Sequence, residues 1–286
     1  MFEWMPGGRS FDLRTDIPDL SGKVILVTGG NTGLGKEAIR RLVRHNPKAV
    51  WLACRTESKG RATIDEIKKE TPDANVEYLD LDLSVMALPF SLTPQNHEIQ
   101  LGTNHLGHAL LTKLLLPILL RTAENSPDVR IVNLSSEGHH FAALSHGLVL
   151  DPTVAEKKYA FTRYGTSKLA NLLHARALRK RYPQLTVTSC HPGVIWTQLY
   201  APQQEQWRGT PILGFIWGML DKLLGTVEAG VKNQIWCAVG PREDVRTGFY
   251  FTPVGRKSGW GMYTSETEAE KLWAWTEAEL AKSGFE

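Results

Sequence analysis

Cysteine is scarce in this chain, and its placement excludes more than its number does. The three cysteines, Cys54, Cys190 and Cys237, lie far apart in 286 residues. They make neither a metal-ligand spacing nor an even disulfide framework, which points to a reducing, cytoplasmic setting. An excess of one charge is also lacking. Lys and Arg number 33 against 30 Asp and Glu, for a net charge of +3. No basic block interleaves with aromatics, so nucleic acid is not an expected partner. The richest apolar run, Ala109 to Leu120, is interrupted by Lys113 and Pro117, so no membrane span is expected. Residues 1–20 carry acids, arginines and two prolines instead of the apolar core of a secretory signal.

What the chain does have is alternation. Short β-branched runs at Val24–Thr28, Ala49–Ala53, Asn75–Asp80, Arg130–Ser135 and Leu185–Cys190 read as strands. Helical spacing fills Lys36–Val43, Thr56–Glu70, Gln100–Leu120 and Tyr164–Arg181, and Glu266–Ala281 reads as a closing helix that packs through Leu272, Trp273, Trp275 and Leu280. This order predicts an α/β fold, a Rossmann-like doubly wound parallel sheet with helices on both faces. The length suits one domain over residues 1–286, with 1–20 as an extension and roughly 198–228 as a substrate lid.

Between the first strand and helix lies Thr28-Gly-Gly-Asn-Thr-Gly-Leu-Gly35. Glycines let the backbone turn tightly, and the helix start offers unpaired N–H groups and a positive dipole end. A bound nucleotide is therefore expected. The spacing Gly30-x-x-x-x-Gly35-Lys36 also approaches a phosphate loop of nucleotide hydrolases, but Glu37 stands where that chemistry needs Ser or Thr to hold magnesium. After the second strand comes Arg55, with Lys59 and Arg61 close by. An arginine at this point accommodates a 2′-phosphate, which favours NADP over NAD.

Tyr164-Gly-Thr-Ser-Lys168 puts a phenol and an ammonium on one helix face. A nearby cation favours phenolate, so the tyrosine can serve as acid or base nearer neutrality. Ser135-Ser136 ends a strand upstream, and His191-Pro192-Gly193 follows the next one. Nine histidines invite a metal reading. However, His139 and His140 are adjacent and are expected to point apart, and His105 and His108 have no acidic partner in sequence. Packing or solvated roles, and no metal, are expected.

Together these segments resemble the short-chain dehydrogenase/reductase family, and its retinol-dehydrogenase-like branch in particular, over nearly the whole chain. The resemblance implies a cofactor loop at Thr28, Gly29, Asn31, Thr32, Gly33, Leu34 and Gly35. It implies NADP selection by Arg55 beside Lys59, and an adenine-side acid at Asp82. It implies that Ser136 holds substrate oxygen, Tyr164 is the acid/base, and Lys168 tunes Tyr164 and holds the nicotinamide ribose. Asn104 matches the asparagine that helps to hold a proton-relay water, and Pro192, Gly193, Val194 and Thr197 match the segment flanking the nicotinamide. The implied reaction is hydride transfer between NADP(H) and a carbonyl or alcohol. Trp196, Leu199, Tyr200, Trp207, Phe215, Ile216 and Trp217 make an apolar substrate the expectation, with ordinary helix packing as the alternative use of these residues. The apolar stretch 211–224 also suits contact with a membrane surface, and self-association is left open.

One departure stands out. Only 19 residues separate Ser84 from Asn104, whereas a βαβ unit takes about 30. The family's Asn-Asn-Ala-Gly turn is absent, and Pro89 makes Val85–Phe90 a poor central strand. A helix and a central strand are inferred to be missing. The first strand must then pair with Arg130–Ser135 or stay partly unpaired. A destabilised, weakly active or silent NADPH-binding protein is the alternative function.

Overall fold

The computed structural model describes residues 8–82, 90–193, 226–258 and 263–285. The first half alternates as expected: β1 (Val24–Thr28), α1 (Gly33–Leu42), β2 (Ala49–Cys54), α2 (Glu57–Glu70) and β3 (Val76–Asp80). These strands form a parallel sheet in the order β1-β2-β3, with Val24 opposite Ala49 and Val50 opposite Val76. Apolar residues on both faces of β2 make it the core strand. Leu52 packs with Ile39 of α1 and Ile67 of α2, all fully buried. Cutting any of them to alanine would cost about 2–5 kcal/mol.

The second half adds α3 (Ile99–Asn125), β4 (Arg130–Leu134), α4 (Ala160–Arg181), β5 (Thr186–Cys190), α5 (Val227–Val239), β6 (Tyr250–Thr252), β7 (Arg256–Lys257) and α6 (Glu266–Lys282). Its sheet runs β4-β5-β6-β7, with the last strand antiparallel. β5 is buried along its whole length, between β4 and β6. α4 covers it through Ala175 and Leu178, which cluster with Val187, while Leu169, Leu172 and Leu173 pack with Tyr250 and Leu272. On α6, Leu272 and Leu280 are buried, and Trp273 and Trp275 pack partly buried. The result is an α/β fold with parallel strands and helices on both faces.

The sheet is split where the sequence comes up short. Among the described residues β1 and β4 do not pair, and each is an edge on the side where the other half lies. Val24 is 59% exposed, and Leu134 is also exposed. Of the two outcomes expected, pairing with the Arg130 strand is not the one realised. Removing one interior strand leaves its neighbours two spacings apart, about 9.5 Å, which is beyond hydrogen-bond reach.

Other contacts join the halves. α1 packs on α5 through Ala38, Leu42, Val231 and Ile235, and Phe11, Leu13, Ile17 and Leu20 join that cluster. The N-terminal extension is thus anchored to the core by these four buried side chains. Gln234 Nε2 donates to Leu34 O at 3.1 Å, and Arg41 meets Glu228 at 3.1 Å. Lys23 Nζ lies 3.3 Å from Asp128 O, below the gap.

The run Ile99–Asn125 is long and apolar enough to cross a membrane by length and composition alone, the mean hydropathy of its most apolar 18 residues being 1.3. Only 11% of its most apolar stretch is buried, and Leu114 and Ile118 face outward. Its inner face is nonetheless tied into the fold, with Lys113 paired to Glu277 at 2.9 Å.

Edge strands with one unpaired side open more readily than doubly paired ones. Amide hydrogen exchange should therefore show β1 and β4 at least about tenfold less protected than β2 and β5. Equal protection across all four strands would mean that the gap is filled.

Candidate active site

The glycine loop is shaped by steric need. Gly29 and Gly33 have φ of +64° and +50°, where side chains are strained. A Cβ on Gly35 would lie 2.4 Å from Gly29 O, so only glycine lets the helix start close over the strand end. Asn31 O accepts from Thr63 Oγ1 at 3.2 Å, which ties the loop to α2. Thr32 precedes α1 in an extended conformation and makes no side-chain cap, and the first turn of α1, where Leu34 lies, carries no acid. The helix start thus keeps N–H groups for an anion.

The same region weakens the phosphate-loop alternative. Lys36 is paired with Glu66 on α2. Glu37 is turned to Arg40 and Arg41, at 3.1 and 2.7 Å. Neither side chain is arranged to serve a triphosphate and magnesium.

Arg55 and Asp82 follow the ends of β2 and β3, so both stand on the same sheet edge as the glycine loop. Lys59 is exposed in the first part of α2. Arg61 points elsewhere: it pairs with Glu57 at 2.7 Å and lies over the Tyr78 ring.

Across the gap, α3 and α4 meet over the end of β4. Asn104 falls in a π-helical stretch, Gly102–Leu106, inside the helix expected to be regular. Such bulges re-aim side chains. Asn104 is buried, and its Nδ2 donates to Ser167 Oγ at 2.9 Å; that hydroxyl donates to Tyr164 O at 2.8 Å. Asn104 is therefore locked to the turn of α4 that carries Tyr164 and Lys168.

Ser136 caps a tight 3-10 stretch, Glu137–Ser145, and its Oγ accepts from Gly138 N at 3.0 Å. A Cβ on Gly138 would sit 2.8 Å from the Tyr164 ring and 3.3 Å from Ser136 Oγ. The serine oxygen and the phenol thus flank one small space that glycine keeps open. Neighbouring Ser135 fastens the strand end to α4 by donating to Lys168 O at 2.7 Å.

Lys168 Nζ lies 5.6 Å from the centre of the Tyr164 ring and donates to Leu134 O at 3.3 Å. The side chain keeps some exposure, but its ammonium sits deep, and burial pushes its pKa down to about 8. His191 and Pro192 follow β5, and Gly193 has φ of +95°. Val194, Thr197 and the apolar residues proposed for the lid lie outside the described residues.

His108 was expected to be a packing or solvated residue and has a more specific place. Its Nδ1 faces Thr103 O at 3.2 Å, so that nitrogen carries the proton and Nε2 accepts from Thr28 Oγ1 at 3.2 Å. Burial, with the Lys168 charge nearby, lowers its pKa to about 4. A neutral imidazole therefore ties α3 to the glycine loop across the gap. The spacing Asn104-x-x-x-His108 was the available signal, since it puts both residues on one helix face. His105 does pack, bonded to Thr276 at 2.8 Å and edge-on to His174. The expectation for His139 and His140 fails. Their ring centres are 4.0 Å apart, because the 3-10 stretch winds too tightly to send adjacent side chains to opposite faces.

Comparison with known proteins gives one answer. The sequence model described as short chain dehydrogenase matches residues 23–88. A short-chain dehydrogenase/reductase of Armillaria gallica is 34% identical, with 92% of each chain covered. That alignment runs over 295 positions, more than this chain possesses, so the relative has residues that this chain lacks. Human retinol dehydrogenase 12 is 33% identical over 91% of this chain and 86% of its own. Among solved structures, an uncharacterized protein from Mycobacterium paratuberculosis superposes with a TM-score of 0.67 at 25% identity, covering 95% and 97%. A short chain dehydrogenase from Escherichia coli CFT073 complexed with NADPH shares the fold, with a TM-score of 0.59 at 21% identity over 83% and 98%.

The lowered pKa of Lys168 carries a sign that can be tested. Between about pH 8 and 10.5 the unfolded chain binds the proton that the folded one has lost, so stability from this group rises with pH. Below pH 8 the buried charge is a cost. Without ligand, Lys168→Met should melt higher than the parent at pH 7, and the difference should shrink by pH 10. Thermal melts of both proteins across that range give the comparison.

Proposed function

The chain belongs to the short-chain dehydrogenase/reductase family, and we propose that it moves a hydride between NADP(H) and a carbonyl or alcohol of an apolar small molecule. The observation that carries this reading is the convergence of Ser136 and Tyr164 on the space kept open by Gly138, with Lys168 on the same helix face. The glycine loop fits a dinucleotide, because its pyrophosphate needs the backbone approach that a Cβ at Gly35 would block. When bound, the cofactor supplies or accepts the hydride at its nicotinamide.

The protein's own groups handle binding and the proton. Ser136 Oγ donates a hydrogen bond to the substrate oxygen. In reduction, the Tyr164 hydroxyl gives its proton to that oxygen as the carbon gains the hydride; oxidation reverses both transfers. Lys168, charged at pH 7, would stabilise the phenolate left behind and hold the ribose of a bound cofactor. Asn104, fixed through Ser167, holds water for the relay that returns the proton. Thr28 and the loop 29–35 hold the pyrophosphate, Asp82 the adenine side, and Pro192-Gly193 with Val194 and Thr197 the nicotinamide side. Arg55, with Lys59 beside it, takes the 2′-phosphate. The likeness to retinol dehydrogenase 12 supports an apolar, retinoid-like or lipid-like substrate.

A second reading rests on the split sheet. The glycine loop stands on β1 and Ser136 follows β4, and no described strand joins those two strands. On that reading the chain binds NADPH but turns over poorly.

Tyr164→Phe should lower turnover of a retinoid aldehyde by about 10²–10⁴-fold, while NADPH still raises the melting temperature as in the parent. Equal loss of binding and turnover would count against the assignment. Arg55→Glu should weaken NADPH by about tenfold or more, from lost charge-assisted hydrogen bonds, with little effect on NADH; calorimetric titration reads both. If the parent is stabilised by NADPH yet reduces no aldehyde, the second reading holds.

A further inference from the structure

Glu137, His139 and His140 form a cluster that the redox chemistry does not use. One ligand atom from each lies within 4.8 Å of the other two. His139 is only 4% exposed, and its Nδ1 sits 2.7 Å from Ser136 O. A carbonyl only accepts, so Nδ1 carries the proton and the lone pair is on Nε2. That Nε2 is buried and has no hydrogen-bond partner. Glu137 is held from behind, since Tyr250 donates its hydroxyl to Oε1 at 2.9 Å. Its other oxygen stands 3.3 Å from His140 Nε2.

This is the arrangement of a metal site with its supporting partners in place. A backbone carbonyl fixes one imidazole and a phenol fixes the carboxylate, as second partners do in zinc centres. Two ligands on a tetrahedral ion with bonds of about 2.0–2.1 Å stand about 3.3 Å apart, which Glu137 and His140 already satisfy. Two imidazoles and one carboxylate suit zinc and its neighbours. Calcium would need six or more oxygens. His140, the exposed member, can turn to admit the ion.

We propose that Glu137, His139 and His140 bind one divalent transition-metal ion, with zinc as the probe of choice and one coordination position left open. The ligands flank Gly138, whose missing side chain leaves room for Tyr164 and Ser136. The ion would therefore clamp the turn that carries Ser136. The binding claim stands apart from the redox reading, because it needs neither cofactor nor turnover.

The test uses the full chain, with zinc chloride titrated by calorimetry and cobalt(II) followed by its visible absorption. We expect one saturable site in the micromolar range and a cobalt spectrum of tetrahedral type. His140→Ala removes an exposed ligand and should weaken zinc at least about tenfold. Tyr250→Phe removes only the hydroxyl behind Glu137 and should cost about tenfold. His146→Asn, at a residue outside the cluster, should leave binding unchanged. Circular dichroism melts establish that each variant is folded. Absence of saturable zinc binding to the folded parent below millimolar concentration would overturn the proposal. So would equal affinity in the parent and His140→Ala.

Discussion

Pairing of backbone groups at the centre of the sheet is the constraint on which the rest depends. A parallel sheet normally satisfies both sides of each interior strand, and an unpaired buried group costs about 1–3 kcal/mol. Here β1 and β4 each lack a described strand partner on one side. Val24 on β1 and Leu134 on β4 are exposed. The lost strand pairing moves the burden of cohesion elsewhere. α1 against α5, together with the segment from Phe11 to Leu20, supplies the apolar contact that the sheet does not. His108 bridges Thr28 at the upper end of the gap, and Lys23 reaches Asp128 at the lower.

This division falls through the candidate site. The glycine loop, Arg55 and Asp82 belong to β1, β2 and β3. Ser136, Tyr164, Lys168 and Asn104 belong to the other sheet and its helices. Within the second group the geometry is tightly determined. A Cβ on Gly165 would fall 2.8 Å from Gly138 O and from Ala142 N, so α4 lies directly on the 3-10 stretch. Asn104 is bonded into the same block. The residues proposed for proton transfer are thus packed as one block, apart from the glycine loop. What the gap affects is their mutual position, and an error of about 1 Å there can cost 10²-fold in rate. On the proposed function, binding and turnover are accordingly separable.

Much of this was legible in the residues. β1, β2, β3, β4 and β5 were marked by β-branched runs between glycine, proline and charged segments, and they fall almost where expected. The missing strand was legible as arithmetic, because a crossover cannot be made from the chain between Ser84 and Asn104. The features that escaped arise from tertiary contact. β6 and β7 are too short to show periodicity and exist because β5 offers an edge. The π-helical turn at Asn104 leaves no mark in a pattern of helical spacing. Adjacent residues of a regular element point to opposite faces, but at His139 and His140 the 3-10 turn capped by Ser136 brings the rings together instead.

Lys168 shows why site and stability pull in different directions. An ammonium held deep in the protein is a cost to the ligand-free fold, seen in a pKa pushed down to about 8. The same depth gives the charge its effect on a phenol one helical turn away, since fields are screened less where water is excluded. In an intact sheet that cost is spread over a stiff structure. Here it is borne by a fold whose described strands β1 and β4 do not pair, and a bound cofactor would recover part of it in this chain as in an uninterrupted relative. Ligand linkage adds RT ln(1 + [L]/Kd) to either protein. In a less stable fold the same increment covers a larger share of the total.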